Sequence, residues 1–457
     1  MTDHFVLLIW IIIILFFLVR YQASSQLRNA LKPKNADTTS ILYPKSIQEV
    51  ISIVKSEPKI SIRGAGYSMG GQCDSNLGVQ IDTRHLNTME LLSNHRIRVG
   101  AGCKWIDVIK YLSPHGLSVT SMQSYANFSV GGSLSVNCHG QDVNHNPIFS
   151  SVESISIVTA DGNLICYNDH RNLKYIVGSY GLLGVIVEAV LKVTKNIDLQ
   201  KRVALMTDTH FGINTLLTDP SLVFLSGRLD ISPGSMFDQC LLISYHSLDV
   251  NQEVCEDVNF SESNNSLTGL GLGLMSNYQC LKSVRLSCEH KFEKSEKFTT
   301  RNKFLSLSVQ SLKTNVYMND NYILQEYFVP LSNLRKFLGQ LKQTCRRNDI
   351  NLLNASLRYV KTDKSVMSYA PEDRIAIVLF IDLNTMEPIT NFQRWTQNII
   401  DAAIECDGSY YQPYHLWATK EQWKHCYPKW KRFLRKKYQL DPNEKFVSHY
   451  WDFIVNE

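Results

Sequence analysis

The chain has 457 residues, of which 44% are hydrophobic and 19% charged, so it is too apolar to be disordered and long enough for two or three globular units. The formal charge of +5 is spread along the sequence, and no nucleic-acid motif accompanies the densest basic run, at residues 429–437, so a nucleic-acid partner is not indicated. Eleven scattered cysteines include no CxxC pair, which argues against a zinc site and a secreted disulfide framework and favours a reducing compartment.

An unbroken apolar run occupies residues 5–19 near the N-terminus. Its length alone fits a signal-peptide core, about 7–15 residues, better than a membrane-spanning helix of about 20 residues. However, no Lys or Arg precedes the run, no clear small-residue cleavage site follows it, and four Lys or Arg residues occupy positions 20, 28, 32 and 34. The positive-inside tendency therefore predicts a single-pass membrane anchor at residues 1–22, a tether at residues 23–39, and the rest of the chain in the cytosol.

Beyond the tether, helices alternate with strands. Ser46, followed three residues later by Glu49, predicts a capping box that opens a helix. The apolar residues 60–62 predict a strand that breaks into a glycine-rich loop. A short helix near residues 105–112 and a long alternating strand at residues 185–193 follow. This alternation predicts an α/β or α+β domain.

The second half of the chain has a different pattern, in which strands predominate. Leu334, Phe337, Leu338 and Leu341 recur at helical spacing after Pro330 and predict one helix. The remaining predicted elements are strands at residues 221–226, 241–245, 325–329 and 375–381 and a helix at residues 392–404. These elements predict a second domain with its own core.

Three glycine-rich stretches recur in the first half: RGAGYSMGG at residues 63–71, VGGS at residues 130–133 and GSYGLLG at residues 178–184. Glycine permits positive φ and lets backbone N–H groups approach a ligand closely, which suits an anionic pyrophosphate. A single stretch of this kind is more often a surface turn. The recurrence of three such stretches in the first half of the chain favours a binding site instead.

Four features, in this order, resemble the flavin oxidoreductases of the vanillyl-alcohol-oxidase type. They are RGAGYS at residues 63–68, VGAG at residues 99–102 with Trp105, VGG at residues 130–132 with His139 and Gly140, and TADG at residues 159–162 followed by GLLG at residues 181–184. The resemblance spans about residues 40–195, and QEYFVP at residues 325–330 and WATK at residues 417–420 extend it. Within the family, the pattern is most similar to the decaprenylphosphoryl-ribose oxidase group, and next to the sugar-lactone oxidases.

The resemblance implies an α+β fold with three parts. A two-subdomain FAD-binding domain of the PCMH type occupies residues 40–197, a substrate or cap domain with an antiparallel sheet occupies residues 198–404, and a C-terminal segment at residues 405–457 returns to complete the FAD site. FAD is the implied cofactor, and no metal is predicted. The residues expected to bind FAD are Arg63, Gly64, Ala65, Gly66, Tyr67, Ser68, Gly70, Val130, Gly131, Gly132, Ser133, Asn137, His139, Gly181, Gly184 and Val185.

His139 and Lys420 are the predicted catalytic residues. His139 follows a glycine turn that approaches the flavin, so it could hydrogen-bond the ring or the substrate hydroxyl, although a lone histidine is more often structural. Lys420 matches the tail-motif lysine of both related groups, and an ammonium at the pyrimidine end of the flavin would stabilise the charge that appears on reduction. The alternative for Lys420 is an ordinary surface lysine. Tyr327, His415, Trp417 and Lys420 are predicted to bind substrate.

Tyr67 departs from the lactone-oxidase pattern, because those enzymes have at this position the histidine that usually anchors the flavin covalently. The resemblance therefore implies that FAD is bound non-covalently here.

The leading functional hypothesis is an FAD-dependent oxidoreductase that removes a hydride from a carbinol carbon of a sugar or sugar-like substrate, either free or lipid-linked. The sequence does not identify the electron acceptor. An aldonolactone oxidase or dehydrogenase is the second hypothesis. The third is a membrane-tethered structural protein that keeps the flavin fold without turnover.

Overall fold

The computed structural model describes residues 40–93, 95–248, 279–294, 298–306, 322–383 and 387–455. The predicted membrane anchor and tether lie outside the described residues. Among the described helices, none combines the length and the apolar character needed to cross a bilayer. The cellular location therefore stays a prediction.

Strands and helices are numbered in chain order. The strands are β1 (Ser40–Leu42), β2 (Ile60–Arg63), β3 (Val79–Asp82), β4 (Met89–Ser93), β5 (Arg96–Gly100), β6 (Leu117–Val119), β7 (Val152–Val158), β8 (Leu164–Tyr167), β9 (Val185–Lys195), β10 (Asp198–Met206), β11 (Leu222–Leu229), β12 (Cys240–Ser247), β13 (Phe298–Thr300), β14 (Tyr322–Val329), β15 (Asn351–Val360), β16 (Arg374–Asp382) and β17 (Ser409–Tyr410). The helices are α1 (Ile47–Ser56), α2 (Trp105–Leu112), α3 (Val130–Ser135), α4 (His170–Ile176), α5 (Thr209–Leu217), α6 (Gln279–Glu293), α7 (Arg301–Leu305), α8 (Leu334–Arg347), α9 (Ile389–Ile404), α10 (Lys420–Cys426), α11 (Trp430–Leu440) and α12 (His449–Val455).

Helix α1 begins where the sequence predicts it. The Ser46 hydroxyl accepts a hydrogen bond from the backbone N–H of Glu49 at 3.2 Å, which confirms the predicted N-cap. The Glu49 carboxylate accepts from the backbone N–H of Lys45 at 2.9 Å, one residue before the cap, so the reciprocal half of the capping box is displaced. One turn later, Val50 is fully buried against the neighbouring sheet.

Two sheets form the first half of the chain. A parallel sheet has the order β1-β3-β2, and a larger antiparallel sheet has the order β4-β5-β9-β7-β8, with β6 also paired to β9. Strand β9 joins their cores: Val185 and Val187 belong to the core of the parallel sheet, whereas Ala189 and Leu191 belong to that of the larger sheet. Parallel and antiparallel sheets side by side confirm an α+β fold.

The second half contains an antiparallel sheet of eight strands, which we call the cap sheet, in the order β13-β10-β12-β11-β15-β16-β14-β17. One face packs against helices, as where Tyr327 of β14 contacts Phe337 of α8 with ring centroids 5.9 Å apart. The opposite face turns toward the first half of the chain, where Phe328 contacts His139. The predicted antiparallel cap is therefore confirmed, while the residue boundaries predicted for the domains stay predictions.

The C-terminal segment returns to the first half of the chain. The backbone N–H of Ile60 donates to the carbonyl of Lys445 at 2.8 Å, and that of Val447 donates to the carbonyl of Ile60 at 2.9 Å. Phe446, between them, pairs in parallel with Ile60 and is buried in the core of the parallel sheet. The tail therefore covers the edge strand β2, which leads into the first glycine loop.

A buried ion pair shapes this tail. Lys437 and Asp441 are fully buried, and the Lys437 ammonium donates to the Asp441 carboxylate and, at 2.7 Å, to the carbonyl of Phe446. The carboxylate also accepts from the backbone N–H groups of Lys445 and Phe446 at 2.7 and 2.8 Å. Burial lowers the pKa of Lys437, against the opposing charge of Asp441. The pair thus fixes the turn that places Phe446 beside β2.

Replacing Lys437 with Met keeps the length of the side chain and leaves the Asp441 carboxylate buried without its ammonium. Breaking a buried pair in this way typically costs about 3–5 kcal/mol, so we expect the free energy of unfolding, measured by urea denaturation, to fall by that amount. Lys431→Met, at an exposed position of the same helix, is the matched control, with an expected change within about 0.5 kcal/mol. Equal losses in the two variants would contradict a special role for the pair.

Candidate functional site

Two of the predicted glycine stretches lie against each other. The backbone N–H of Ala65, just after β2, donates to the hydroxyl of Ser129 at 3.0 Å. A Cβ on Gly64 would lie 2.4 Å from that hydroxyl oxygen and 3.4 Å from the backbone nitrogen of Gly132. A side chain therefore does not fit at Gly64, and its absence lets the two backbones form the wall of one cleft.

The cleft encloses about 1090 Å³, including its opening to solvent. Glycine-rich backbone lines one part, and the larger side chains of Phe128, Val136, Tyr411 and Tyr414 line another. FAD carries two phosphates, which need bare N–H donors, and a large ring system, which needs an apolar slot. The residues present therefore fit FAD.

Ten of the predicted FAD-binding residues line this cleft. They are Gly64, Ala65, Gly66, Tyr67, Ser68, Gly131, Gly132, Ser133, Gly181 and Gly184. The other six, which the lining does not include, are Arg63, Gly70, Val130, Asn137, His139 and Val185. Val130 and Val185 are core residues, and the amide of Asn137 donates to the hydroxyl of Ser365 at 3.3 Å. The guanidinium of Arg63 packs over Gly66, and Gly70 backs onto the main chain of His415.

Ser133 lines the cleft, but its hydroxyl is already engaged. The oxygen accepts from the indole N–H of Trp105 at 2.8 Å and lies 2.6 Å from the amide oxygen of Gln123. The Ser133 hydroxyl therefore links α3 to α2, and its role in FAD binding stays a prediction.

Several lining residues were missed by sequence reasoning. Ser129, Val136 and Cys138 directly flank the predicted glycine stretch, so widening that stretch by a few residues would have found them. Tyr411 and Tyr414 arrive from the C-terminal segment, and no local pattern in the sequence marks them.

His139 pairs with a carboxylate from the cap sheet. Its Nε2 lies 2.8 Å from Oε1 of Glu326, and exposure is 4% for the His139 side chain and 0% for that of Glu326. The ring is surrounded by aromatic side chains, with centroids 5.4 Å from Phe328, 5.7 Å from Tyr369 and 5.6 Å from Tyr411. The imidazole is therefore held in a water-excluding pocket between the two halves of the chain.

Glu326 is ionised in this pocket. Burial acts to raise the pKa of its carboxyl, but the neighbouring His139, the charge of Arg358 and a hydrogen bond from Tyr414 together bring the pKa below its ordinary value. Burial and the nearby carboxylate raise the pKa of Tyr414, which keeps its hydroxyl as a donor. The ionised Glu326 carboxylate therefore stabilises the folded protein at pH values above its ordinary pKa. This stabilisation is lost as the pH falls through the lowered pKa.

Substrate binding by Tyr327, in strand β14, stays a prediction. Tyr327 was expected to bind substrate, yet it is fully buried among the helices behind the cap sheet, where its hydroxyl donates to Gln325 at 2.5 Å. Alternate residues of a strand point to opposite faces, so Glu326 and Phe328 face His139 instead. The signal was available, because a glutamate inside an apolar strand is unusual.

The three residues of the C-terminal segment that were predicted to bind substrate do not line the cleft. They are His415, Trp417 and Lys420. His415 is buried between Tyr410 and Trp417, with ring centroids at 6.0 and 5.4 Å, and burial lowers its pKa to about 3. The Lys420 ammonium donates to the carbonyl of Phe453 in α12. Catalytic action by Lys420 stays a prediction, and the observed contact ties α10 to the C-terminal helix.

A second, smaller cavity of about 350 Å³ lies on the other side of His139. In its wall, Asp142 holds both Arg301, at 2.7 Å, and His145, at 2.9 Å. Burial acts to raise the pKa of Asp142, but these partners lower it overall. The cluster is internally paired and supports the loop that carries His139.

Comparison with known proteins agrees with this geometry. Residues 38–167 match a family model described as FAD binding domain, and residues 238–454 match one described as D-arabinono-1,4-lactone oxidase. Cytokinin dehydrogenase 5 of Oryza sativa subsp. japonica is 31% identical over 169 residues, which cover 33% of this chain and 32% of the relative. Cytokinin dehydrogenase 1 of Arabidopsis thaliana is 28% identical over 166 residues, covering 33% and 29%.

The chain thus spans about a third of the length of these curated relatives. It is distantly similar to cytokinin dehydrogenases, and its two halves are similar to an FAD-binding domain and to D-arabinono-1,4-lactone oxidase.

Replacing Gly64 with Ala tests the close approach of the two loops. The added Cβ would push Ser129 and the second loop away, so we expect the protein to lose most of its bound FAD, measured as flavin absorbance per protein after desalting. Gly234→Ala, where a Cβ meets nothing within 4 Å, is the control and should keep its flavin. Full flavin content in the Gly64 variant, with unchanged circular dichroism, would rule out the cleft as the FAD site.

Proposed function

We propose that this protein is an FAD-dependent oxidoreductase that oxidises a carbinol group of a sugar-like substrate. One observation carries the proposal: a buried histidine–carboxylate pair, His139 and Glu326, adjoins a cleft whose residues fit FAD. Oxidation of a carbinol removes a hydride from carbon and a proton from oxygen. When bound, FAD supplies the hydride acceptor, and the protein must therefore supply the proton acceptor.

The pair His139 and Glu326 suits that task. The imidazole of His139 would accept the proton from the substrate hydroxyl, and the resulting imidazolium would be stabilised by Glu326, whose Oε1 lies 2.8 Å from Nε2. Glu326 orients the imidazole and stabilises its protonated form, because it is a buried carboxylate with a lowered pKa. The surrounding aromatic rings exclude water and so strengthen this interaction.

An aldonolactone is the substrate class best supported by similarity, because the D-arabinono-1,4-lactone oxidase model matches residues 238–454, which include the cap strand that carries Glu326. A sugar carbinol on a lipid-linked substrate is the alternative. A structural protein without turnover is disfavoured by the buried charge of Glu326, since a carboxylate is costly to bury unless it serves a partner.

Replacing Glu326 with Gln tests the proposal. Flavin content should stay at the wild-type level, because Glu326 is not among the residues lining the FAD cleft. Loss of a positioned proton acceptor should slow anaerobic flavin reduction by a sugar or lactone about 10²–10⁴-fold. Glu372→Gln, at an exposed glutamate near the start of β16, is the control and should reduce normally. A flavin-loaded wild-type protein that no polyol or lactone reduces would refute the function itself.

We also propose that FAD is bound non-covalently. The thiols lining the cleft, Cys73 and Cys138, are poor nucleophiles, since burial raises the pKa of each to about 12. Tyr67 occupies the position where related oxidases attach the flavin. Acid precipitation should therefore release the yellow colour into the supernatant, and colour kept in the washed pellet would contradict this proposal.

A further inference from the structure

The face of the cap sheet that carries Glu326 also carries two arginines on neighbouring strands. In the pairing of β11 with β15, Ser226 lies opposite Arg358 and Arg228 lies opposite Ser356. Arg228 and Arg358 are therefore diagonal neighbours, which in an antiparallel pair lie about 7–8 Å apart. Two hydroxyl side chains, Ser226 and Ser356, complete this square of four residues.

The register of the sheet relates this square to Glu326. Ser356 lies opposite Val378 of β16, and Val378 lies opposite Glu326 of β14, so the three side chains share one face. At about 4.8 Å per strand, β15 lies about 10 Å from β14, and β11 lies about 14 Å from it. The two arginines therefore lie on the same face as Glu326, two and three strands away from it.

Arg285, Arg301 and Arg374 each have a carboxylate partner within 4 Å. Within the described residues, the guanidinium groups of Arg228 and Arg358 make neither a hydrogen bond nor a salt bridge, although both side chains are partly buried. The charge of Arg358 acts on the ionised Glu326, whereas no carboxylate of the described residues pairs with Arg228, and an anionic ligand would supply that partner.

The groups around the pair reinforce the need for an anion. Arg285 of α6 is close enough to Arg228 for the repulsion to lower its pKa, in addition to the larger effect of burial. The guanidinium of Arg285 itself donates hydrogen bonds to Glu289 at 2.8 Å and to the amide oxygen of Asn354 at 2.9 Å. Glu326, an acidic group on this face, pairs with His139.

We propose that Arg228 and Arg358 form an anion-binding subsite, so that the substrate carries a carboxylate or phosphate group in addition to the carbinol that is oxidised. This inference rests on the proposed function, because it names the substrate class of the same site. The substrate would lie along the cap sheet with its carbinol at His139 and its anion at the two guanidinium groups. Both anions suit a pair of arginines, which offer several N–H donors each.

A simpler role for Arg358 is to balance the charge of Glu326. That role predicts that Arg358 matters and that Arg228, one strand farther away, does not. The subsite predicts that both arginines matter, and only for anionic ligands. Arg228 is therefore the decisive position.

The experiment uses the FAD-loaded full chain and three five-carbon ligands: D-arabinono-1,4-lactone, which is neutral, D-arabinonate, which carries a carboxylate, and D-arabinose 5-phosphate. Binding is followed by the change in the flavin absorbance spectrum at constant ionic strength. We expect at least one anionic ligand to bind about 10-fold or more tightly than the lactone, as for hydrogen bonds to charged groups. The tighter of the two anions identifies the group for which the subsite is built.

Arg228→Gln should remove this preference without changing affinity for the lactone, Arg358→Gln should also remove the preference, and Arg228→Lys should keep part of it. Arg335→Gln, at an arginine 79% exposed on α8, is the matched control and should bind like the wild type. Equal binding of neutral and anionic ligands, or a preference that survives in Arg228→Gln, would overturn the subsite. Anion binding in a protein whose flavin no ligand reduces would refute the proposed function and leave the subsite standing.

Discussion

The contact on which the site depends is the approach of one backbone to another at Gly64. Ser129 and Gly132 occupy the space that a side chain at Gly64 would need. Strand β2 delivers the first of these segments and helix α3 the second, and the two hydrophobic cores on which these elements pack both include residues of strand β9. The cleft therefore forms because the two hydrophobic cores are joined, and it depends on the absence of side chains at glycines such as Gly64.

The second constraint is electrostatic. Glu326 has no exposure to water, so its charge must be compensated within the protein. His139 supplies the near partner from the first half of the chain, and Arg358 contributes from within the cap sheet. One buried carboxylate thereby couples the position of the cap sheet to the loop that follows the glycine turn. Such coupling holds the cap sheet in a fixed position relative to the FAD-binding half of the chain.

The sequence predicted well those features whose signals are local. Glycine stretches, the N-cap at Ser46 and the strand at β2 all depend on residues within a few positions of one another, and all lie where they were expected. What escaped prediction depends on tertiary placement. Whether Glu326 or Tyr327 faces His139 depends on which face of β14 packs against the first half of the chain. The local sequence motif does not determine that face. Strand β15 was overlooked although Leu353, Ala355 and Leu357 alternate with polar residues.

The return of the C-terminal tail has a consequence for biosynthesis. Lys59, at the entrance to β2, donates to the carbonyl of Glu444, 385 residues later in the chain. At about 5–20 residues per second, the ribosome completes that interval in roughly 20–80 s. For that time the edge of β2 lacks its final partner, so the nascent FAD-binding half emerges with an unpaired strand edge and an incomplete core. The edge of β2 is therefore completed only when nearly all of the described chain has been synthesised.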